Sequence, residues 1–221
     1  MKTYSFAYGS GTVELPLDEK NVIGELHGNA VAPLADIRAA LWASLDAPID
    51  SAPLCERTRA GDTVTLVVSD MTRFWMRQDL VVPHLVDYLT ERCGVREEDI
   101  TIVIANGTHI GGDEQELRTL VTDAVYDRVK VKNHDCEAKD LVYLGTTPHG
   151  TPVSIDRTAA EADLVVCLGA VTHHVMAGFG GGRKSILPGI AGRETIMKNH
   201  NLALNPGLGS GSHPEVRSAN M

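Results

Sequence analysis

Three short runs of apolar, mostly β-branched residues constrain this sequence more than any other feature. They are Thr63–Val68 (TVTLVV), Ile100–Ala105 (ITIVIA) and Asp163–Leu168 (DLVVCL). Such continuous apolar runs are typical of strands that are buried on both faces. Amphipathic helices are predicted at Leu80–Leu89 and from Asp113 to Leu120. Because strands and helices alternate, the sequence predicts an α/β fold with a doubly wound, mostly parallel, Rossmann-like sheet.

Smaller elements are predicted around this repeat. The opening residues Thr3–Leu17 predict a β-hairpin or two edge strands, because two alternating runs flank Gly9, Ser10 and Gly11. Further predicted elements are a helix at Leu34–Leu45, a weak strand at Arg128–Lys132, a hairpin between Leu141 and Ile155, and a helix at Arg193–Asn199 that ends at His200. Residues 201–221 have little periodicity and many Gly and Ser, so we predict one domain over residues 1–200 and a linker or truncated tail over 201–221.

Composition narrows the function classes. The chain has 221 residues, of which 43% are hydrophobic, so it can fill a core and disorder is excluded. Its formal net charge of −9 gives no electrostatic basis for non-specific binding to nucleic acid or an anionic membrane. The sequence contains neither an apolar run near the roughly 18 residues of a membrane span nor a signal-peptide core. We therefore expect a cytoplasmic protein whose partners are small ligands and other proteins.

The four cysteines do not form a recognisable site. Cys55, Cys93, Cys136 and Cys167 are far apart, and none belongs to a C-x-x-C pair. Neither a zinc knuckle nor a thioredoxin-type centre follows from that spacing. We predict buried free thiols.

Polar side chains that could bind a ligand or take part in catalysis follow each of the three predicted strands. Asp70 and Arg73 follow the first strand, His109 follows the second, and His173 and His174 follow the third. In parallel α/β sheets, ligands bind beyond the carboxyl ends of the strands. The pattern predicts that these side chains share one edge of the sheet, although polar residues follow strands in many proteins for reasons of solubility alone.

The segment Ala177–Gly192 (AGFGGGRKSILPGIAG) is rich in glycine and matches neither a P-loop nor a dinucleotide-binding fingerprint. Backbone N–H groups in such a run can face an anion, and Arg183 and Lys184 supply positive charge. A flexible loop is the alternative. Lys184 stands between glycines and the apolar Ile186–Pro188, where partial desolvation would make its amine nucleophilic.

Four motifs in order resemble the amino-terminal domain of the nickel-pincer lactate racemase family. They are DMTR (70–73), NGTH (106–109), HVMAGFGGGRKSILPGIAG (174–192) and NH (199–200). The resemblance implies that residues 1–200 form a cofactor-anchoring domain. It also implies a racemase or epimerase of a 2-hydroxy acid, an isomerase. The family has a second, smaller domain that these residues do not include, so we expect the chain alone to be inactive.

The resemblance further implies a nickel-pincer nucleotide cofactor, Ni(II)-pyridinium-3,5-bisthiocarboxylate mononucleotide, made by separate biosynthetic proteins. Lys184 would hold it covalently, and His200 would be the protein ligand to nickel. Imidazole with soft sulfur in a planar field suits Ni(II). Asp70, Met71, Thr72 and Arg73 would bind the nucleotide part. Protein made without those biosynthetic proteins would lack the cofactor.

His109 and His174 would be the paired general acid and base, with proton transfer coupled to hydride transfer. The family pattern places proline after the first motif, whereas this sequence has Phe74-Trp75-Met76. We expect this difference to alter the floor of the pocket and therefore the substrate, which could be lactate, malate, a longer 2-hydroxy acid or a sugar acid. Two other functions stay open. One is a non-catalytic module that binds a nucleotide or anion, and the other is a zinc hydrolase that uses His109, His174 and His200.

Overall fold

The structure is a computed structural model that describes residues 1–174 and 177–204. The chain divides into two compact units, Met1–Ala35 and Asp36–Met221. In the described part of the chain, no helix combines the length and apolarity needed to cross a membrane. Most of the predicted tail, residues 205–221, lies outside the described residues, and the boundary predicted near residue 200 stays a prediction.

The first unit is built on a β-hairpin. Strands β1 (Lys2–Tyr8) and β2 (Gly11–Leu17) pair antiparallel, with Tyr8 opposite Gly11. Gly9 occupies the turn with φ +58°, a conformation that glycine adopts without steric cost. Of the two forms predicted for this segment, the structure has the hairpin.

The second unit contains the α/β layer. Its helices are α1 (Ile37–Asp46), α2 (Val82–Asp87, continued by a π-helical turn at Tyr88–Arg92), α3 (Glu114–Val121), α4 (Asp123–Tyr126), α5 (Arg157–Ala160) and α6 (Arg193–Asn201). Its strands are β3 (Val64–Ser69), β4 (Ile100–Ala105), β5 (Lys130–Asn133), β6 (Val142–Thr146), β7 (Pro152–Ile155), β8 (Leu164–Cys167), β9 (His173–His174) and β10 (Gly178–Phe179).

Four of these strands form one parallel sheet in the order β5-β4-β3-β8. Val64 pairs with Ile100 on one side and with Leu164 on the other, so the three predicted strands are neighbours. The predicted α/β fold is thereby confirmed. The prediction of a third strand buried on both faces was wrong, because β8 lies at the sheet edge and its residues are only half-buried.

The core occupies both faces of the sheet because side chains alternate along each strand. Leu66 and Ile102 point to one face, where they pack with residues of α2 and α3 such as Leu85. Val67 and Val103 point to the opposite face, where they meet a smaller cluster. Helices that cover both faces leave the strand ends free to hold polar loops.

The cysteine prediction was wrong for one pair. Cys55 and Cys93 form a disulfide with their Cα atoms 4.6 Å apart, although 38 residues separate them in sequence. The pair becomes close only because the chain after α1 returns to the end of the π-helical turn. Cys136 and Cys167 are free and half-buried, and burial raises the pKa of both thiols.

Candidate functional site

A cleft of about 440 Å³ lies at the carboxyl edge of the parallel sheet. Ser69 at the end of β3, Ala105 at the end of β4 and Ala170 just after β8 line it. The same cleft is lined by residues that the sequence singled out, among them Arg73, His109, His174, Lys184 and His200. The structure therefore brings together side chains that are up to 127 residues apart in the chain, from position 73 to position 200.

Asp70 lies beneath this cleft and orients its first histidine. Its side chain is only 6% exposed, and its Oδ1 accepts hydrogen bonds from Thr72 Oγ1 at 2.6 Å and Arg73 Nη1 at 3.1 Å. Its Oδ2 pairs with His109 Nδ1. Because a carboxylate accepts, His109 carries its ring proton on Nδ1, and the lone pair of its neutral form is on Nε2. The His109 ring is 45% exposed, so this residue can act as a base in the cleft.

The rest of the first motif divides between the cleft and the core. Thr72 and Arg73 line the cleft, and Arg73 keeps a fixed position through Asp70 and Thr72. Met71 packs against the hydrophobic core instead of lining the cleft. Met71 therefore offers no direct side-chain contact in the cleft for the nucleotide-binding role predicted for it.

The two adjacent histidines of β9 have different surroundings. His174 is half-buried and lines the cleft, and its Nδ1 accepts a hydrogen bond from the Ala177 N–H at 3.2 Å. The ring proton of neutral His174 is therefore on Nε2. His173 is exposed, does not line the cleft, and packs its ring against Phe179 with the centroids 5.2 Å apart. The cleft thus takes the second histidine of the pair, as motif register predicts.

Burial and nearby positive charges depress two pKa values in the cleft. Desolvation, followed by the positive charges of Lys184, Arg73 and His200, lowers the pKa of His174. Desolvation, followed by the charge of Arg73, lowers the pKa of Lys184. A larger share of the Lys184 amine is therefore unprotonated and nucleophilic at neutral pH than in an exposed lysine. The cations also make the cleft attractive to anions in a chain of net negative charge.

Lys184 sits in a short 3₁₀ turn at Gly182–Ser185, and glycines are needed on both sides of it. Gly181 has φ +71°, and a Cβ there would lie 2.9 Å from the Ala170 carbonyl oxygen. A Cβ at Gly189 would lie 2.1 Å from the Ser185 carbonyl oxygen. The glycines therefore let this segment pack directly on neighbouring backbone, which brings Lys184 to the cleft.

The ring of His200 is oriented by its own helix. It lies in the last turn of α6, where its Nδ1 donates to the Ile196 carbonyl oxygen at 2.8 Å. That hydrogen bond fixes the tautomer of the neutral ring and places the lone pair on Nε2, an arrangement that metal-binding histidines commonly have. In the described ranges, no three His, Cys, Asp or Glu side chains are grouped closely enough to hold a metal ion. His109, His174 and His200 are accordingly not arranged as a three-histidine zinc site.

Sequence reasoning identified Trp75 and Met76 only as a departure from the family pattern, and both line the cleft. Met76 Sδ accepts a hydrogen bond from the Ala170 N–H at 3.2 Å, while Phe74 packs against the core. Asn106 and Thr108 also line the cleft, and their place in the NGTH motif was the signal that could have identified them.

Comparison with known proteins agrees with this geometry. The model of the family described as the lactate racemase N-terminal domain matches residues 8–211. The chain belongs to the lactate racemase N-terminal domain family. The resemblance recognised from the four motifs is thereby confirmed.

Individual relatives give the same result. A lactate racemase of Lactiplantibacillus plantarum is 32% identical over 204 residues, which cover 90% of this chain and 47% of the relative. A lactate racemase of Thermoanaerobacterium thermosaccharolyticum is 29% identical over 203 residues, with the same coverage. The solved lactate racemase apoprotein from Thermoanaerobacterium thermosaccharolyticum superposes with a TM-score of 0.83 at 27% identity, covering 99% of this chain and 52% of that one. The chain spans about half the length of these relatives.

The residues in the cleft fit the cofactor that the family resemblance implies. A pincer that brings its own sulfur donors needs few protein ligands, and His200 offers a single oriented imidazole. Lys184 offers an amine with a lowered pKa, and Arg73 offers a guanidinium suited to a phosphate. Each of these groups lines the same cleft.

Proposed function

We propose that this chain is the cofactor-anchoring part of a 2-hydroxy-acid racemase or epimerase. The observation that carries the proposal is the convergence of Arg73, His109, His174, Lys184 and His200 on one cleft of a lactate racemase N-terminal domain. The motifs that hold these residues are separated by long stretches of unrelated sequence. These residues nevertheless meet at the carboxyl edge of the sheet, as the residues of a shared active site must.

A nickel-pincer nucleotide would be held by Lys184 through a covalent bond and by His200 through nickel. The nucleotide phosphate would lie against Arg73, which Asp70 and Thr72 keep in place. When bound, the pincer supplies an acceptor for the hydride of the substrate's α-carbon. The proteins that make this cofactor would be the macromolecular partners of the chain. We also propose that the protein is cytoplasmic.

The two histidines are complementary tautomers in their neutral forms. Neutral His109 has its lone pair on Nε2, because Nδ1 is bonded to Asp70, so it can accept the proton of the substrate hydroxyl. Neutral His174 has its N–H on Nε2, because Nδ1 accepts from Ala177, so it can donate a hydrogen bond to the substrate oxygen and would release a proton only from its doubly protonated form. Neutral His109 would take the hydroxyl proton on one side of a planar 2-keto acid and protonated His174 would return one on the other, with the two roles exchanged in the opposite direction.

The substrate would be a small 2-hydroxy acid whose carboxylate is attracted by the cations of the cleft. Trp75 lines the cleft although its side chain is largely exposed, so it offers a flat apolar wall to the substrate. Because the chain spans about half the length of its relatives, we expect racemisation only when their second half is also present.

Alanine substitution tests the two-histidine assignment. In a version that carries the second half found in the relatives and is made together with the cofactor-making proteins, His109→Ala and His174→Ala should each lower kcat for lactate racemisation by about 100-fold or more. His173→Ala is the matched control, because the same residue type lies next to His174 outside the cleft, and it should keep the parent rate. Activity within a few-fold of the parent in either cleft variant would overturn the assignment. A parent that carries the cofactor but never racemises a 2-hydroxy acid would favour a non-catalytic binding module.

A further inference from the structure

A buried cluster of ionisable side chains lies behind the cleft, outside the residues assigned above. His134 has a fully buried side chain, and its Nδ1 lies 3.3 Å from Asp156 Oδ2. Its Nε2 lies 2.9 Å from the carbonyl oxygen of Ala191. Lys132 Nζ completes the cluster at 3.0 Å from Asp156 Oδ1. These polar groups therefore hydrogen-bond one another at a place where His134 and Asp156 are almost fully buried and Lys132 is partly exposed.

The hydrogen-bond partners of His134 define its form. A peptide carbonyl oxygen only accepts hydrogen bonds, so the Nε2 of His134 carries a proton and donates it to Ala191 at 2.9 Å. Asp156 is the acidic partner of both His134 and Lys132. Burial alone would raise the pKa of Asp156, but hydrogen bonds from His134 and Lys132 outweigh burial and hold that pKa well below its ordinary value. The buried Asp156 carboxylate is thus surrounded by hydrogen-bond donors, an arrangement that fixes geometry closely.

On one side, His134 is tied to the segment that carries His109. The His134 N–H donates to the Ile104 carbonyl oxygen at 3.0 Å, which extends the pairing of β4 with β5. Asn106 Nδ2 donates to the His134 carbonyl oxygen at 3.2 Å. Asn106 in turn accepts from the His109 N–H at 2.9 Å. The backbone of His134 thus lies two hydrogen bonds away from the proposed base.

On the other side, the His134 ring holds the segment between Lys184 and His200. Ala191 lies two residues before α6, the helix that carries His200, and bridges to Ile155 in an isolated antiparallel pair. The neighbouring Ile190 carbonyl oxygen accepts from the Asp156 N–H at 2.9 Å. The segment that leads into α6 is therefore held by the His134 ring at Ala191 and by the Asp156 backbone at Ile190.

From these contacts we infer that His134 is a positioning residue that sets where α6 begins and thereby presents His200 to the nickel of the proposed cofactor. The inference rests on the proposed function. His134 contacts neither cleft nor ligand, and it acts through the Ala191 carbonyl oxygen. Residues that orient metal ligands from behind typically change metal affinity or activity by 10- to 100-fold when they are replaced.

Two substitutions separate the contacts of the ring. His134→Gln places an amide N–H where Nε2 stands and keeps the bond to Ala191, whereas His134→Asn places one where Nδ1 stands and loses it. The 221-residue chain is made together with the cofactor-making proteins, and two quantities are measured: the intact mass of the adduct and the rate at which nickel is lost to a chelator. His149→Asn is the control, because His149 is exposed in the turn between β6 and β7.

We expect an adduct of the same mass in the parent and in all three variants. Nickel should be lost on the order of 10 to 100 times faster from His134→Asn than from the parent. The rates of nickel loss from His134→Gln and His149→Asn should stay within about 3-fold of the parent rate. Nickel loss at the parent rate in His134→Asn overturns the inference. Equally fast loss from His134→Gln also overturns it, because general damage to packing would then explain both variants. A parent without any adduct refutes the proposed function and the inference together, and the missing mass distinguishes that failure from the other two.

Discussion

Asp70→Asn should reverse the tautomer of His109. The substitution keeps the size of the side chain and keeps an oxygen for Thr72 Oγ1 and Arg73 Nη1, which both donate to Asp70 Oδ1. It replaces the acceptor that faces His109 Nδ1 with an NH₂ donor. Two donors cannot share a hydrogen bond, so the ring proton of neutral His109 should move to Nε2.

The expected cost follows from that one lost contact. A hydrogen bond to a charged group contributes about 1.5 to 3 kcal/mol, so the free energy of unfolding should fall by roughly that amount. With its proton on Nε2, His109 no longer presents a lone pair to the substrate hydroxyl. A matched change behind the histidine of a serine protease lowers kcat by about 10⁴, and we expect on the order of 10³ to 10⁴ here, equivalent to about 4 to 5.5 kcal/mol in the barrier.

The assay is ¹⁵N NMR of the histidine rings in the unloaded chain at a pH where His109 is neutral. The parent should show the Nδ1–H tautomer at His109, and Asp70→Asn should show the Nε2–H tautomer. Thr72→Val is the matched control, because it removes another hydrogen bond to Asp70 without touching His109. An Nδ1–H tautomer that persists in Asp70→Asn would refute the orienting role of Asp70.

Two further predictions concern the disulfide and the second histidine. The double substitution Cys55→Ser and Cys93→Ser should lower the free energy of unfolding by about 4 kcal/mol, because the disulfide closes a loop of about 38 residues and so restricts the unfolded chain. Denaturant unfolding of the parent with and without reductant measures this effect, and equal unfolding midpoints under the two conditions would contradict the disulfide. His174 should titrate below its ordinary pKa of 6.5, because the folded state disfavours its charged form, and NMR shifts measure this. Its contribution to stability is present above pH 6.5 and is lost as the pH falls toward its folded pKa; a His174 pKa above 6.5 would contradict that environment.

The central layer of the fold was predictable because its signal is local. The runs at 63–68 and 100–105 are too apolar to be exposed, and their β-branched residues favour strands. The edge position of β8 was not predictable from Asp163–Leu168, because an edge strand and a central strand can carry the same apolar run. The disulfide was missed for a related reason: Cys55 and Cys93 are 38 positions apart, and nothing in the chain between them indicates that they meet.

The cleft residues were predictable where motifs mark the ends of strands. Asp70 and His109 follow β3 and β4 directly, so parallel pairing alone places them side by side. The role of Asp70 beneath His109 needed coordinates, because sequence shows neighbours along the chain and not hydrogen bonds across it. His134 and Asp156 lie in a part of the sequence without any motif, and their meeting depends on how β5, β7 and the start of α6 pack.

Intact-mass spectrometry can show whether the proposed cofactor is covalently attached to Lys184. The parent chain and Lys184→Ala are each made together with the cofactor-making proteins and weighed under denaturing conditions, with Lys198→Ala as a control from an exposed position on α6. We expect a mass increase that corresponds to one pincer nucleotide in the parent and in the control Lys198→Ala, and no increase in Lys184→Ala. An adduct that survives in Lys184→Ala, or a parent that never carries one, would contradict the attachment to Lys184.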